Sequence, residues 1–312
     1  MVTFGVQIEP QFGYSYDEIL DVGRECEGLG FTTLTVSDHF MLREDSIGLP
    51  AMECWTLLSA LAVDLHKVRI GPLVSCNSYR QPSLLAKMAA TVDVLSGGRL
   101  EFGIGAGWKK SEYDAYGYPF PSIRERVDRM AEAIDIITRL WVVDEATFKG
   151  RYYAIEGAMC NPKPIQRPRP MIWVGGSGDR LLRVAAKLAD GVNIPFSTPD
   201  TFKERLDRLR HYCEKGGREY SSMKKSHFLW ALLGREGQID RMVEDFAHVL
   251  GMSVEDVRGI GKKGFIGTPS DLVERLHGYV KAGAEHIILG FAKGWEKSSM
   301  ELFHDEVLGA LR

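Results

Sequence analysis

The chain has 312 residues, with 39 Lys or Arg against 42 Asp or Glu, a formal net charge of −3. That balance argues against a broad basic face for nucleic acid, and the length suits one large α/β domain, residues 1–312, that buries its core without staples. Five cysteines, an odd number with no C-x-x-C pair, argue against a disulfide framework or zinc knuckle and suit a reducing cytoplasm.

The opening MVTFGVQIEP lacks the basic start and apolar stretch of a signal peptide. No apolar run reaches the roughly 20 residues needed to span a bilayer, so a soluble cytoplasmic protein that docks no membrane is expected. Thr3–Ile8 reads as a strand and Tyr16–Leu29 as a helix stopped at Gly30. Thr33–Ser37 is the second strand. Cys54–Leu65 is helical, with Leu57, Leu58, Leu61 and Leu65 on one face. Val68–Ser75 is the third strand, and Pro82–Leu95 a helix with proline at its start and Gly97-Gly98 beyond its end. Leu100–Gly105 is the fourth strand and Arg124–Leu140 a long amphipathic helix.

A hairpin-sized excursion, Thr147–Ile155, leads to the proline-rich connector NPKPIQRPRP. Met171–Val174 and Gly191–Ile194 are the fifth and sixth strands, followed by helices Arg180–Leu188 and Asp200–Lys215. His227–Leu233 is the seventh strand. Gln238–Leu250 and Val254–Ile260 read as a helical insertion before the last strand. Helix Ser270–Ala282, strand His286–Leu289 and helix Met300–Leu311 finish the chain. Eight strands alternating with helices over this length point to a (β/α)8 TIM barrel, with an open doubly wound sheet as the alternative.

In such barrels chemistry sits at the carboxyl ends of the strands. Those ends carry Asp38-His39-Phe40, Ser75 to Arg80, Gly105-Ala106-Gly107-Trp108, Gly175-Gly176-Ser177-Gly178 and Asn193. An imidazole beside a carboxylate can move a proton near neutral pH, so His39 and Asp38 are the catalytic candidates. The plainer alternative is an Asp capping a turn beside a His satisfied by backbone. GIGAGW has the first two glycines of a dinucleotide fingerprint but Trp108 at the third, after the wrong strand. Small residues there suit a planar cofactor lying against the backbone, or simply a tight turn. GGSG before a helix offers free amides to a phosphate, although such loops often only turn. No metal is expected, since no H-x-H or H-E-x-x-H spacing accompanies His39.

The segment GPLVSCNSYRQPSLLAKMAATVDVLSGGRLEFGIGAGW, Gly71 to Trp108, resembles the bacterial luciferase-like family, in particular its coenzyme F420-dependent oxidoreductase branch. SDHF, EYDAYGYPFP, CNPKPIQRPRPMIWVGGSG and GTPSDLVERLHGYVKAGAEHIIL follow in the family's order across nearly the whole chain. The resemblance implies a barrel whose mouth holds a deazaflavin ring, propped by a non-proline cis peptide that would here be Leu73–Val74. It implies that Cys76 and Asn77 lie at the ring's polar edge, with Gly107 beside it, and Asp38 near its head group. It places His39 over the reacting centre, Gly175, Gly176, Ser177 and Gly178 near the ribityl-phosphate tail, and Asn193 close to the cofactor.

Phe40, Tyr79 and Trp108, with the loop around Phe196, are the expected substrate pocket. Sugar-phosphate-oxidising relatives have glutamate where Trp108 stands and tryptophan near Arg43, so that substrate is not implied here. Gln81 stands where many relatives have histidine and is given no role. Glu112 is either a proton carrier or a solvated surface acid. The resemblance implies a homodimer and a reductase as an indirect partner. The alternatives are an FMN-dependent monooxygenase of the same superfamily, a metal-dependent barrel hydrolase and a cofactor carrier without turnover.

Overall fold

The computed structural model describes residues 2–311. Parallel strands close into a barrel: β1 (Thr3–Ile8), β2 (Thr33–Val36), β3 (Arg69–Pro72 and Ser75–Cys76), β4 (Phe102–Gly105), β5 (Ile172–Gly175), β6 (Gly191–Pro195), β7 (Lys224–Leu233) and β8 (His286–Gly290). Hydrogen bonding runs from β3 through β2, β1, β8, β7, β6 and β5 to β4. The ring is completed where Ile70 bridges Leu100 and Ser75 and Cys76 pair with Ile104 and Gly105.

Leu34, Val36, Ile70, Phe102, Ile104, Ile172, Val174, Val192 and Ile194 are all fully buried in the main core. Helix starts follow local chemistry. Ser15 and Glu18 form a capping box for Tyr16–Leu29, and Thr268 and Asp271 do so for Pro269–Ala282. Five predicted helices shift by one residue at one end only, a normal boundary effect: Cys54–Asp64, Asp179–Leu188, Pro199–Lys215, Ile239–Leu250 and Pro269–Ala282.

Several differences are real. The third strand, expected as continuous Val68–Ser75, is cut in two by a cis Leu73–Val74 peptide. This is the bond singled out by the resemblance. A seven-residue helix, Lys110–Tyr116, follows β4 where no element was expected. Its length is under three turns and it lacks an apolar stripe, so periodicity does not reveal it. The excursion is a hairpin of Ala146–Lys149 and Ala154–Ala158. The insertion after β7 contains the expected helices plus a short strand, Phe265–Gly267, that extends the sheet along β7. The last helix is Glu296–Glu306, followed by a 3-10 turn. Among the described residues no helix is long and apolar enough to cross a membrane.

Candidate active site

A cavity of about 660 Å³ opens at the carboxyl ends of the strands. Its lining includes Asp38, His39, Leu73, Val74, Cys76, Tyr79, Gly107, Trp108, Gly175, Gly176 and Asn193. Residues read separately from the sequence therefore meet in one space.

The tip of β2 carries the titrating group. Thr33–Val36 is buried, and the chain leaves the strand through buried Ser37 and Asp38 before His39 reaches the cavity. His39 Nδ1 lies 2.9 Å from Glu112 Oε2. Among the described residues no protein partner is found at Nε2. Glu112 is buried and also accepts from Tyr79 Oη at 2.9 Å and from the amides of Phe40 and Met41 at 2.9 and 3.2 Å. Lys109 Nζ approaches at 3.4 Å. The solvated-surface alternative for Glu112 is thus corrected: the Lys110–Tyr116 helix turns this acid inward. Burial pushes the Glu112 carboxyl up, but His39, Lys109 and Tyr79 outweigh it and hold it down at about 2. Burial pulls the His39 imidazole down, yet the hydrogen bond and charge of Glu112 raise it above its ordinary value.

Asp38 is occupied differently. Arg80 grips it with two nitrogens, Nη1 to Oδ2 at 2.6 Å and Nη2 to Oδ1 at 2.8 Å, and the Cys76 amide donates to Oδ2 at 2.8 Å. Arg80 also reaches Glu53. Burial lowers the guanidinium pKa, but the two carboxylates more than reverse this. The carboxylate ties the tip of β2 to the start of the second half of β3. It is held by a fork of donors, which leaves it a positioning role. Cys76 borders the cavity as a protonated thiol, since burial pushes it up to about 11.

Val74 is seated by glycines. A Cβ at Gly105 would lie 2.5 Å from Val74 Cγ2, and one at Gly175 would lie 2.7 Å from Cγ1. Gly103 and Gly105 of GIGAG and Gly175 of GGSG thus make room for the bulge behind the cavity. Gly107 has φ 77, a left-handed conformation suited to glycine, and Gly176 has φ 133.

Not every expected residue reaches the cavity. Phe40 turns away from it and stacks on Tyr79 at 4.4 Å and against Tyr116 at 4.6 Å, because its amide is anchored on Glu112. Asn77 is buried with Nδ2 3.4 Å from Tyr153 Oη and Oδ1 unpartnered. It does not border the cavity, and neither do Ser177 and Gly178, which lead into the Asp179–Leu188 helix. Trp108 stands at the rim, 71% exposed, with its ring edge-on to His39 at 5.5 Å.

Sequence reading missed Glu9, Gln11 and Phe12 after β1, Phe228 and Trp230 on β7, and Lys109, all of which line the same space. The strand-end rule that located the others could have found the first five, had it been applied to the first and seventh strands, and Lys109 lies one residue beyond Trp108 after the fourth.

The chain is similar to an F420-dependent glucose-6-phosphate dehydrogenase of Microbacterium testaceum, 28% identical over 97% of this chain and 95% of that protein. It is 26% identical to a 5,10-methylenetetrahydromethanopterin reductase of Archaeoglobus fulgidus, with full coverage of both. A solved structure of an F420-dependent secondary alcohol dehydrogenase in complex with an F420-acetone adduct has the same fold: TM-score 0.86, 22% identity, 100% of this chain and 99% of that one covered. The family model for luciferase-like monooxygenases matches residues 1–236. With that match across most of the barrel, the chain belongs to the luciferase-like monooxygenase family.

Proposed function

We propose that this chain is a coenzyme F420-dependent oxidoreductase, with residues 1–312 as one barrel domain and His39 as the proton partner of a small organic substrate. The observation that carries this reading is the His39–Glu112 pair at a cavity backed by the Leu73–Val74 bulge. When bound, the deazaflavin supplies two-electron hydride transfer at C5. The fit rests on two features. The cavity volume suits a tricyclic ring and a small substrate. Gly105 and Gly175 at the tips of β4 and β5 seat Val74, so that the bulge can stand behind a flat group.

Leu73 and Val74 would back the ring, with Cys76, Gly107 and Asn193 around its edge. Gly175 and Gly176 would meet the tail, and Ser177 and Gly178 would offer it the free amides at the start of the Asp179–Leu188 helix. Asp38 would hold the β2 and β3 tips in register through Arg80 and the Cys76 amide, acting as a positioning residue. As a carbinol is oxidised, its hydroxyl proton passes to His39 Nε2. In the reverse direction His39 returns that proton to the forming alkoxide. Glu112 holds the imidazole by Nδ1, which leaves Nε2 as the nitrogen that works. Tyr79 and Trp108, with the Phe196 loop, would border the substrate.

His39→Ala separates the roles. Affinity for F420 should stay within about threefold, while turnover falls roughly 100-fold or more, the range for losing general acid–base help. Turnover within twofold of the parent would make His39 structural.

The second reading is an FMN-dependent monooxygenase, favoured by the description of the matching family model. It would use the same mouth with a flavin reduced by a partner enzyme. In either reading we propose a cytoplasmic homodimer served indirectly by a reductase.

A further inference from the structure

We propose that the mouth selects an uncharged, largely apolar substrate bearing a single hydroxyl or carbonyl oxygen, and that Glu9 rejects anionic ones. The inference rests on the functional reading above and deepens it. Among the described residues, the charged or ionisable side chains lining the cavity are Glu9, Asp38, His39, Cys76, Tyr79 and Lys109. Asp38 is neutralised by Arg80. Tyr79 donates to Glu112, and the Cys76 thiol keeps its proton.

Lys109 is committed to the protein: its Nζ donates to the carbonyls of Met41 and Leu42, the latter at 2.9 Å, and lies 3.4 Å from Glu112. Arg43, which follows the lining residue Leu42, and Lys293, which contacts the lining residue Phe12, are committed in the same way. Arg43 donates to the Leu250 carbonyl and pairs with Asp45 at 2.9 Å. Lys293 donates to the carbonyls of Phe12 and Gly13 at 3.1 and 2.6 Å. A phosphate or carboxylate entering the mouth would have to compete with these carbonyls for a cation.

It would also meet Glu9. This carboxylate is buried and takes only amide donors, Gln7 Nε2 at 3.2 Å and Gln11 Nε2. It pairs with no cation among the described residues. A second negative charge in the same low-dielectric space is disfavoured.

The neutral polar lining is already partnered, with Ser37 Oγ donating to Gln11 Oε1, Gln11 Nε2 to Glu9 and Asn193 Nδ2 to Ser226, and the rest of the wall is apolar and aromatic. Phe12 stacks on Trp230 at 5.5 Å, and Phe196 packs edge-on against Phe228 at 5.1 Å. Leu42 and Trp108 complete it. Such a wall binds by burying apolar surface, which leaves His39 Nε2 to meet the one polar atom.

The test is a matched pair, cyclohexanone against 4-oxocyclohexanecarboxylate, titrated calorimetrically into both apoprotein and F420-loaded protein. The neutral ketone should bind at least tenfold tighter. Glu9→Gln should narrow that ratio to within about threefold. Phe196→Ala, at a partly exposed rim position, should weaken the ketone several-fold. Equal or tighter binding of the carboxylate overturns the inference, as does no ketone binding at millimolar concentration. A ratio unmoved by Glu9→Gln overturns it too. Because the ratio is also read on apoprotein, failure to bind F420 would remove the functional reading and leave this one judged separately.

Discussion

A buried carboxylate at position 112 takes up donors from two places distant in sequence: His39 with the Phe40 and Met41 amides, and Tyr79. Replacing it with glutamine keeps the shape and removes the charge that holds the imidazole up. Desolvation then dominates at His39, and its pKa falls. In Glu112→Gln the limb of the kcat/KM profile owed to His39 should therefore move to lower pH, with turnover down tenfold or more. An unmoved limb would separate the two residues. The pair also sets a stability window. Glu112 is depressed from 4.5 to about 2, so its contribution is complete above its unfolded value and is lost as pH falls toward 2. His39 is raised from 6.5, so its contribution is complete below that value and is lost as pH rises through its folded one. The stability difference between the parent and Glu112→Gln, read from urea midpoints, should be greatest between about pH 4.5 and 6.5. A pH-independent difference would contradict the pairing. The sequence offered Glu112 as a proton carrier or a surface acid, and the choice between them was not legible in "GWKKSEYDAYG", because the burial of one acid depends on partners dozens of residues away.

Among the elements, β3 shows where pattern reading stops. Val68 to Ser75 reads as one apolar strand, and side-chain alternation carries no sign of the cis bond that divides it. Only the family resemblance located that bond. The glycines were legible as residues that let something approach closely, but the nearest group that needs the room proves to be Val74. Gly105→Ala should push Val74 toward the cavity. We expect a loss of about 1–3 kcal/mol in stability, the usual cost of overpacking, together with weaker cofactor binding. Adding Val74→Ala should recover part of both, a coupling that a double-mutant cycle measures. Simple additivity would show that Gly105 acts on something other than the bulge. The strand tips of β2 to β5 were found from the sequence because chemistry follows the carboxyl ends of barrel strands. Those of β1 and β7 were passed over, and with them Glu9 and Trp230.

For the whole molecule, strand–helix alternation was enough to read the barrel and the insertion after β7, since each βα unit announces itself by a change of period. All five cysteines are buried free thiols, so added reductant should leave the melting temperature unchanged. What the alternation could not supply is the occupant of the mouth. The measurement that bears on it most directly is a titration of apoprotein with F420 and, separately, with FMN, followed by absorbance and by thermal shift. Saturable F420 binding that raises the melting temperature, with FMN at least tenfold weaker, is the predicted result. Tight FMN binding with none for F420 would contradict the deazaflavin assignment and turn the same mouth over to the monooxygenase reading.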